Sequence, residues 1–240
     1  VRYFIGLVLA VASTHAALGA MALVYRGPGA CDDGCWAAAA ATAGRLGLAV
    51  RYVGPGETDP RLFDGAAVWI QPGGESHIVA EHLSVALKSR LQTFVAGGGA
   101  YVGFCAGGFY GSRLFHTLDD DGQDKVYSGL GFFDGESFLY STDESPEILL
   151  TAWAGMPRYL YWEGGPYFAV PSGAGAEIVA TYPDGRPGMI QVHYGQGRAA
   201  LSGLHPEAPQ DWRDAAGLTD PDGLDFALAD AMVRWAIEGP

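Results

Sequence analysis

Between residues 21 and 111, short apolar runs stopped by glycine or proline alternate with stretches of good helix formers. That alternation restricts the fold more than any other feature of the chain. The run Met21-Ala22-Leu23-Val24-Tyr25 ends at Gly27-Pro28-Gly29, and residues 36–48 read as an alanine-rich helix. Residues 50–53 and 66–70 read as two further strands, the second stopped by Pro72-Gly73-Gly74. A long helix is predicted over 77–95, closed by Gly97-Gly98-Gly99, before the apolar run Ala100-Tyr101-Val102-Gly103. Strands alternating with helices imply βαβ units and a parallel sheet. Such sheets bind ligands at the carboxyl ends of their strands. The turns at Gly27-Pro28-Gly29, at Pro72-Gly73-Gly74 and after Phe104 would gather at that one edge.

Phe104-Cys105-Ala106-Gly107-Gly108 sits where one of these strands ends and a short helix begins. A turn that tight strains its central residue, pushes the side chain clear of the sheet and leaves the following N–H groups facing whatever it attacks. Serine occupies such an elbow in the α/β-hydrolases. The alternative is that Cys105 is one more buried thiol, since free cysteine is among the most buried residue types. Glycines on both sides, directly after a strand, favour the nucleophile.

A thiolate nucleophile needs a base and donors for the oxyanion. Of six histidines, His15 falls in the N-terminal apolar segment, His77 and His82 are expected to face solvent from a helix, and His116 is expected on the surface. His193 lies in an alternating strand and could point either way. His205 ends the apolar run at 199–204 and is followed by Pro206-Glu207. A carboxylate two residues on can hold the far ring nitrogen and fix the tautomer, as the third member of a triad does. The rest of the second half reads as β-rich, with strands at 126–133, 148–153, 159–162, 176–182, 189–194 and 198–204. A closing amphipathic helix is predicted over 222–237, with Phe226, Leu228, Met232 and Trp235 as its core residues.

The bulk composition narrows the function classes. With 240 residues and a 49% hydrophobic fraction, the chain can build one well-cored domain, and no linker or repeat follows residue 20. Lys and Arg number 14 against 27 Asp and Glu, a net charge of −13 that repels phosphate backbones and argues against nucleic acid as a partner. Asp119-Asp120-Asp121 reads as a solvated loop, with a three-carboxylate metal site as the alternative. No cofactor and no metal is called for.

Arg2, the apolar run at 3–12 and the small residues at 16–20 have the order of a secretory signal, which would leave 21–240 as the mature domain. The run is short for a bilayer span, so no stable membrane insertion is expected after its removal. The same run could be a first buried element, in which case the protein would be cytoplasmic. In an exported protein Cys31 and Cys35 could close a small disulfide, leaving Cys105 as the odd free thiol.

These residues carry a resemblance. Gly103-Phe104-Cys105-Ala106-Gly107 together with His205-Pro206-Glu207 resembles the class I glutamine amidotransferase superfamily. Within it, the chain is similar to the biotin-protein ligase N-terminal domain family. That similarity rests on Val24-Tyr25-Arg26-Gly27-Pro28-Gly29, Gln71-Pro72-Gly73-Gly74, the stretch from Gly98 through Gly107, and Tyr161-Trp162-Glu163-Gly164-Gly165-Pro166. It implies a flavodoxin-like three-layer α/β sandwich with a mainly parallel central sheet. It also implies Cys105 as nucleophile, His205 as base, Glu207 as its orienter, and the N–H groups near Gly74 and Ala106 as an oxyanion hole. Gly73-Gly74-Glu75-Ser76 further resembles the glutaminase subunit of pyridoxal phosphate synthesis, which would make Glu75 a substrate contact. Neither a biotin-ligase catalytic domain nor a synthetase domain lies within these residues.

Two main functions follow. The first is a cysteine hydrolase acting on a small-molecule or peptide amide, or a related acyl bond. The second is a non-catalytic binding module that keeps the superfamily pocket, shaped by Arg26, Tyr161, Trp162 and Glu163. A redox or stress protein is a third class, and it would need no His-x-Glu pair. Oligomeric state is not legible in the sequence.

Overall fold

The computed structural model describes residues 20–31, 34–119 and 121–239. The first half of the chain runs β1 (Met21–Tyr25), α1 (Cys35–Arg45), β2 (Ala49–Val53), β3 (Ala66–Gln71), α2 (Ser76–His82), α3 (Val85–Ala96), β4 (Ala100–Phe104) and α4 (Ala106–Gly111). There follow β5 (Ser112–Leu118), β6 (Asp124–Ser128), β7 (Phe133–Leu139), β8 (Glu147–Trp153), β9 (Met156–Trp162) and β10 (Pro166–Ala169). The chain closes with β11 (Ala176–Thr181), β12 (Pro187–Tyr194), β13 (Gly197–Ser202), α5 (Gln210–Ala215) and α6 (Phe226–Glu238).

Successive strand residues point to opposite faces, so a strand apolar at every position feeds two cores. In β1, Leu23 and Tyr25 enter one core while Ala22 and Val24 enter the other. In β3, Trp69 opposes Val68 and Ile70 in the same way, and in β4 Tyr101 opposes Val102 and Phe104. Helices α1 and α6 cover one face of this sheet. Helices α3 and α4, with a small second sheet ordered β10-β7-β5-β6, cover the other.

The large sheet is ordered β2-β1-β3-β4-β13-β12-β11-β8-β9. Its first five strands are parallel, and the rest join antiparallel. It is therefore mixed, where a mainly parallel sheet was expected. The second half extends the sheet with the meander β13-β12-β11 and then with the hairpin β8-β9, whose β8 pairs with β11.

Several predicted boundaries shift for local reasons. The helix expected over 77–95 is two helices, because Leu83 turns extended (φ −65°, ψ 118°) and the Ser84 hydroxyl caps the second by accepting from Leu87 N–H at 3.2 Å. The strand expected over 126–133 is the end of β6, a turn and the start of β7; β5 and β10 went unpredicted. Helix α6 starts at Phe226 rather than 222. Its fully buried face is Ala229, Met232, Val233 and Ala236, while Phe226, Leu228 and Trp235 are only partly buried. That face packs against α1 in the same core.

His77, expected in solvent, is buried at 5% exposure with Tyr127 of the small sheet 5.9 Å from its ring. His116 is half-buried on β5, its Nε2 3.0 Å from Glu136 and its ring stacked on Phe138. His193 is exposed beside Trp235. Asp119 makes a turn, accepting from the N–H groups of Asp121 and Gln123 and pairing with Lys125. Among the described residues no group of His, Cys, Asp and Glu is placed to hold a metal ion. Among them too, no helix is long and apolar enough to cross a membrane. The predicted signal segment lies outside the described residues but for Ala20.

Candidate active site

The three predicted turns do meet at the carboxyl edge of the parallel strands. Cys105 joins β4 to α4 with φ 48° and ψ −104°, in the region that disfavours any side chain. Such a backbone costs of the order of 1–3 kcal/mol and persists only when its surroundings over-determine it. Here the Cys105 N–H donates to Ser202 O at 2.8 Å at the end of β13, and the Cys105 carbonyl accepts from Phe109 N–H at 3.0 Å in α4. The elbow also needs Gly107, because a Cβ there would run into the Gln71 carbonyl and lie 2.9 Å from Gln71 Cβ. Cys105 is a free thiol at 5% exposure, its Sγ 3.5 Å from the Glu163 carbonyl.

His205 follows β13, three residues beyond its end. Its backbone N–H donates to Tyr161 O at 2.9 Å, which fixes the loop against the end of β9. Its Nδ1 lies 2.8 Å from Glu207 Oε1, and both side chains are buried, at 3% and 1% exposure. Burial opposes a charged imidazole here. The Glu207 charge, together with hydrogen bonding to Cys105 and Glu207, outweighs it and holds the ring's protonation well above the usual histidine range. The rings of Tyr161 and Trp212 stand edge-on to His205 at 5.9 and 5.5 Å. Residue 73 explains how thiol and imidazole come together: a Cβ on Gly73 would lie 2.8 Å from His205 Cε1 and 3.5 Å from Cys105 Cβ.

The thiol and the imidazole open into a cavity of about 690 Å³. Gly74, Glu75, Tyr161 and Glu163 line it, as the sequence suggested, and the Tyr161 hydroxyl donates to Glu163 Oε2 at 2.8 Å. Ala106 is the first residue of α4, where backbone N–H groups lack intrahelical acceptors. Two expected residues lie elsewhere. Trp162 is buried at 1% exposure in the core, its Nε1–H donating to Gly165 O, because strand alternation turns it away from Tyr161. Arg26 lies over the Trp36 ring at 4.0 Å, in a separate shallow depression with Gly27 and Pro28.

The sequence reading missed Glu144, Asp211 and Trp212, which also line the cavity. The last two ride on α5, a helix of six residues with no strong signal of its own. It is held by Arg213, which is fully buried, donates to Ala208 O at 2.8 Å and pairs with Asp220 and Asp225. A buried arginine among aspartates was the one available clue. Cys31 and Cys35 are joined as a disulfide with Cα atoms 5.5 Å apart, and they too line the cavity.

The fold is class I glutamine amidotransferase-like. The PurLQS structure from Thermotoga maritima superposes with a TM-score of 0.60 at 14% identity, covering 89% of this chain and 98% of that one. A glutamine amidotransferase from the same organism gives 0.55 at 13% identity, covering 91% and 98%. At such identities the likeness concerns the fold. The chain belongs to the family described as "Biotin-protein ligase, N terminal", whose model matches residues 21–221. It is 28% identical over 160 residues to the biotin–protein ligase of Schizosaccharomyces pombe, covering 59% of this chain and 25% of that one. An uncharacterized protein of Chlamydia muridarum is 30% identical over 167 residues, covering 62% and 63%. The match thus spans a quarter of the ligase and under two thirds of the chlamydial protein.

Proposed function

We propose that this domain is a cysteine hydrolase acting on an amide or related acyl bond. The observation that carries the reading is a free thiol on a strained strand-to-helix elbow, packed beside a histidine whose far nitrogen is held by a buried glutamate. His205 accepts the thiol proton, and Cys105 Sγ adds to the carbonyl carbon. The oxyanion rests on the N–H groups of Gly74 and Ala106. Collapse of the tetrahedral adduct expels the amine, which takes its proton from His205, and leaves a thioester on Cys105. Water, deprotonated by His205, adds to the thioester and releases the acid and the thiol. Glu207 holds the imidazole in the tautomer that keeps Nε2 toward the sulfur. Glu75, Glu144, Glu163 and Asp211 line the cavity with no Lys or Arg among its lining residues, which favours neutral or cationic amides over anionic ones.

The second reading, a binding module, is supported by the aromatic wall of Tyr161 and Trp212. Intact mass after incubation with a panel of carboxamides, L-glutamine among them, separates the two. The hydrolase reading expects an acyl adduct on Cys105 that is lost in Cys105→Ala, together with rapid alkylation of Cys105 by iodoacetamide near neutral pH. No adduct with any amide, and alkylation no faster than that of free cysteine, would leave the binding module standing. As to location, we propose export if the segment before residue 21 is a signal peptide, where the Cys31–Cys35 disulfide would persist.

A further inference from the structure

The disulfide is not a remote staple. Cys35 Sγ and Cys105 Cβ lie 3.4 and 3.5 Å from one point, the position a Cβ on Gly73 would take, and all three cysteines line the same cavity. Because residue 73 is glycine, it puts no side chain of its own at that point, which His205 Cε1 also borders at 2.8 Å. The disulfide loop is also tied to the same turn. Cys31 N–H donates to Gly73 O at 3.3 Å, Glu75 N–H donates to Gly29 O at 2.8 Å, and Ala30 bridges to Gly74.

The two sulfurs of the bond are not equivalent. Cys31 Sγ accepts the N–H of Cys35 at 3.1 Å, at the first residue of the 11-residue helix α1. Backbone donors and the dipole at a helix start stabilise a thiolate, which makes Cys31 the better leaving group. Cys35 is the sulfur nearest the space that Gly73 leaves open.

We propose that Cys105 undergoes thiol–disulfide exchange with this bond, a sulfur chemistry of the pocket separate from acyl transfer. The Cys105 thiolate attacks Cys35 Sγ and forms the Cys35–Cys105 bond. The Cys31–Cys35 bond breaks, and its electron pair leaves on Cys31. The proton given up by Cys105 ends on Cys31, directly or through solvent. One disulfide is lost and one gained, so no oxidant or reductant is consumed. In the exchanged form the elbow thiol is masked and Cys31 is the free thiol; attack by Cys31 on Cys35 reverses the step. The proposal rests on the placement of three cysteines around one cavity and stands whether or not the domain hydrolyses an amide.

The test uses the full chain, purified without reductant, held at pH 6 to 8.5, quenched in acid and digested with pepsin under non-reducing conditions. Mass spectrometry is expected to find a Cys35–Cys105 peptide beside the Cys31–Cys35 one. Iodoacetamide labelling of Cys105 should fall in step with a gain of labelling at Cys31. Cys105 recovered only as the free thiol at every pH would overturn the proposal, and that measurement needs no variant to fold. As a second arm, Cys31→Ser leaves Cys35 and Cys105 as the only thiols. Oxidised glutathione should close them into an internal disulfide, releasing two reduced glutathiones. Mixed glutathione disulfides on both cysteines, with no internal bond, would also overturn it. Closure of Cys31 to Cys105 in Cys35→Ser as fast as that of Cys35 to Cys105 would overturn the assignment of Cys35 as the attacked sulfur.

Discussion

Glu207→Gln isolates the charge that the candidate triad depends on. The substitution keeps the volume of a side chain that is 1% exposed, and keeps an oxygen where Oε1 now receives His205 Nδ1 at 2.8 Å. It removes the charge that, against burial, holds the imidazole protonated. Hydrogen bonds to charged groups are worth about 1.5–3 kcal/mol, and each ~1.4 kcal/mol is a factor of ten in rate. If His205 takes the thiol proton, iodoacetamide alkylation of Cys105 at pH 7 should fall by roughly ten- to a hundredfold. The same charge has a stability signature. A histidine raised in the folded state contributes stability that is fully present below about pH 6.5, its unfolded value, and is lost as pH rises through the folded value. Wild type should therefore lose stability across the neutral to alkaline range, and Glu207→Gln should lose less. Alkylation unchanged in a folded variant, or a stability gap constant from pH 6 to 10, would refute the coupling.

Two structural perturbations test how the site is held. In Gly107→Ala the new methyl would meet the Gln71 backbone at the carboxyl end of β3, so urea denaturation should show a loss of about 1–3 kcal/mol. Unchanged stability would mean that the elbow is looser than its contacts imply. Arg213→Met removes the buried partner of Asp220 and Asp225 and the donor to Ala208 O. Breaking a buried pair from one side costs about 3–5 kcal/mol, and the tryptophan fluorescence of the cavity wall should change with it through Trp212. A variant as stable as wild type would show that α5 is anchored by other contacts.

The parallel half of the fold was legible because buried parallel strands read as continuous apolar runs, and each here is stopped by glycine or proline. Ala100-Tyr101-Val102-Gly103-Phe104, wholly buried, is the clearest case. The small sheet was not legible. Its strand β5 reads Ser112-Arg113-Leu114-Phe115-His116-Thr117-Leu118, and its single fully buried apolar residue, Phe115, is set by packing against Tyr127 rather than by any local period. The candidate triad residues stood out because each carries local punctuation, glycines around Cys105 and a strand end before His205. Trp212 had none, since its place depends on an ion pair between Arg213 and aspartates further along the chain. Trp162 was misplaced for a simpler reason: a motif names residues, whereas strand alternation sends neighbours to opposite faces.

Gly73 is where the separate parts of the site become one. Cys35, Cys105 and His205 come from three distant parts of the chain, and a side chain at residue 73 would touch all three. The glycine allows thiol and imidazole to meet, as acyl transfer requires, and the same vacancy admits a disulfide sulfur next to them. One thiol cannot serve both chemistries at once. If both operate, the exchanged form is necessarily inactive toward amides, and the pocket's catalytic competence follows from which pair among Cys31, Cys35 and Cys105 is bonded. Such coupling needs no second site and no conformational relay, because the competing sulfur lies inside the cavity that the substrate would enter.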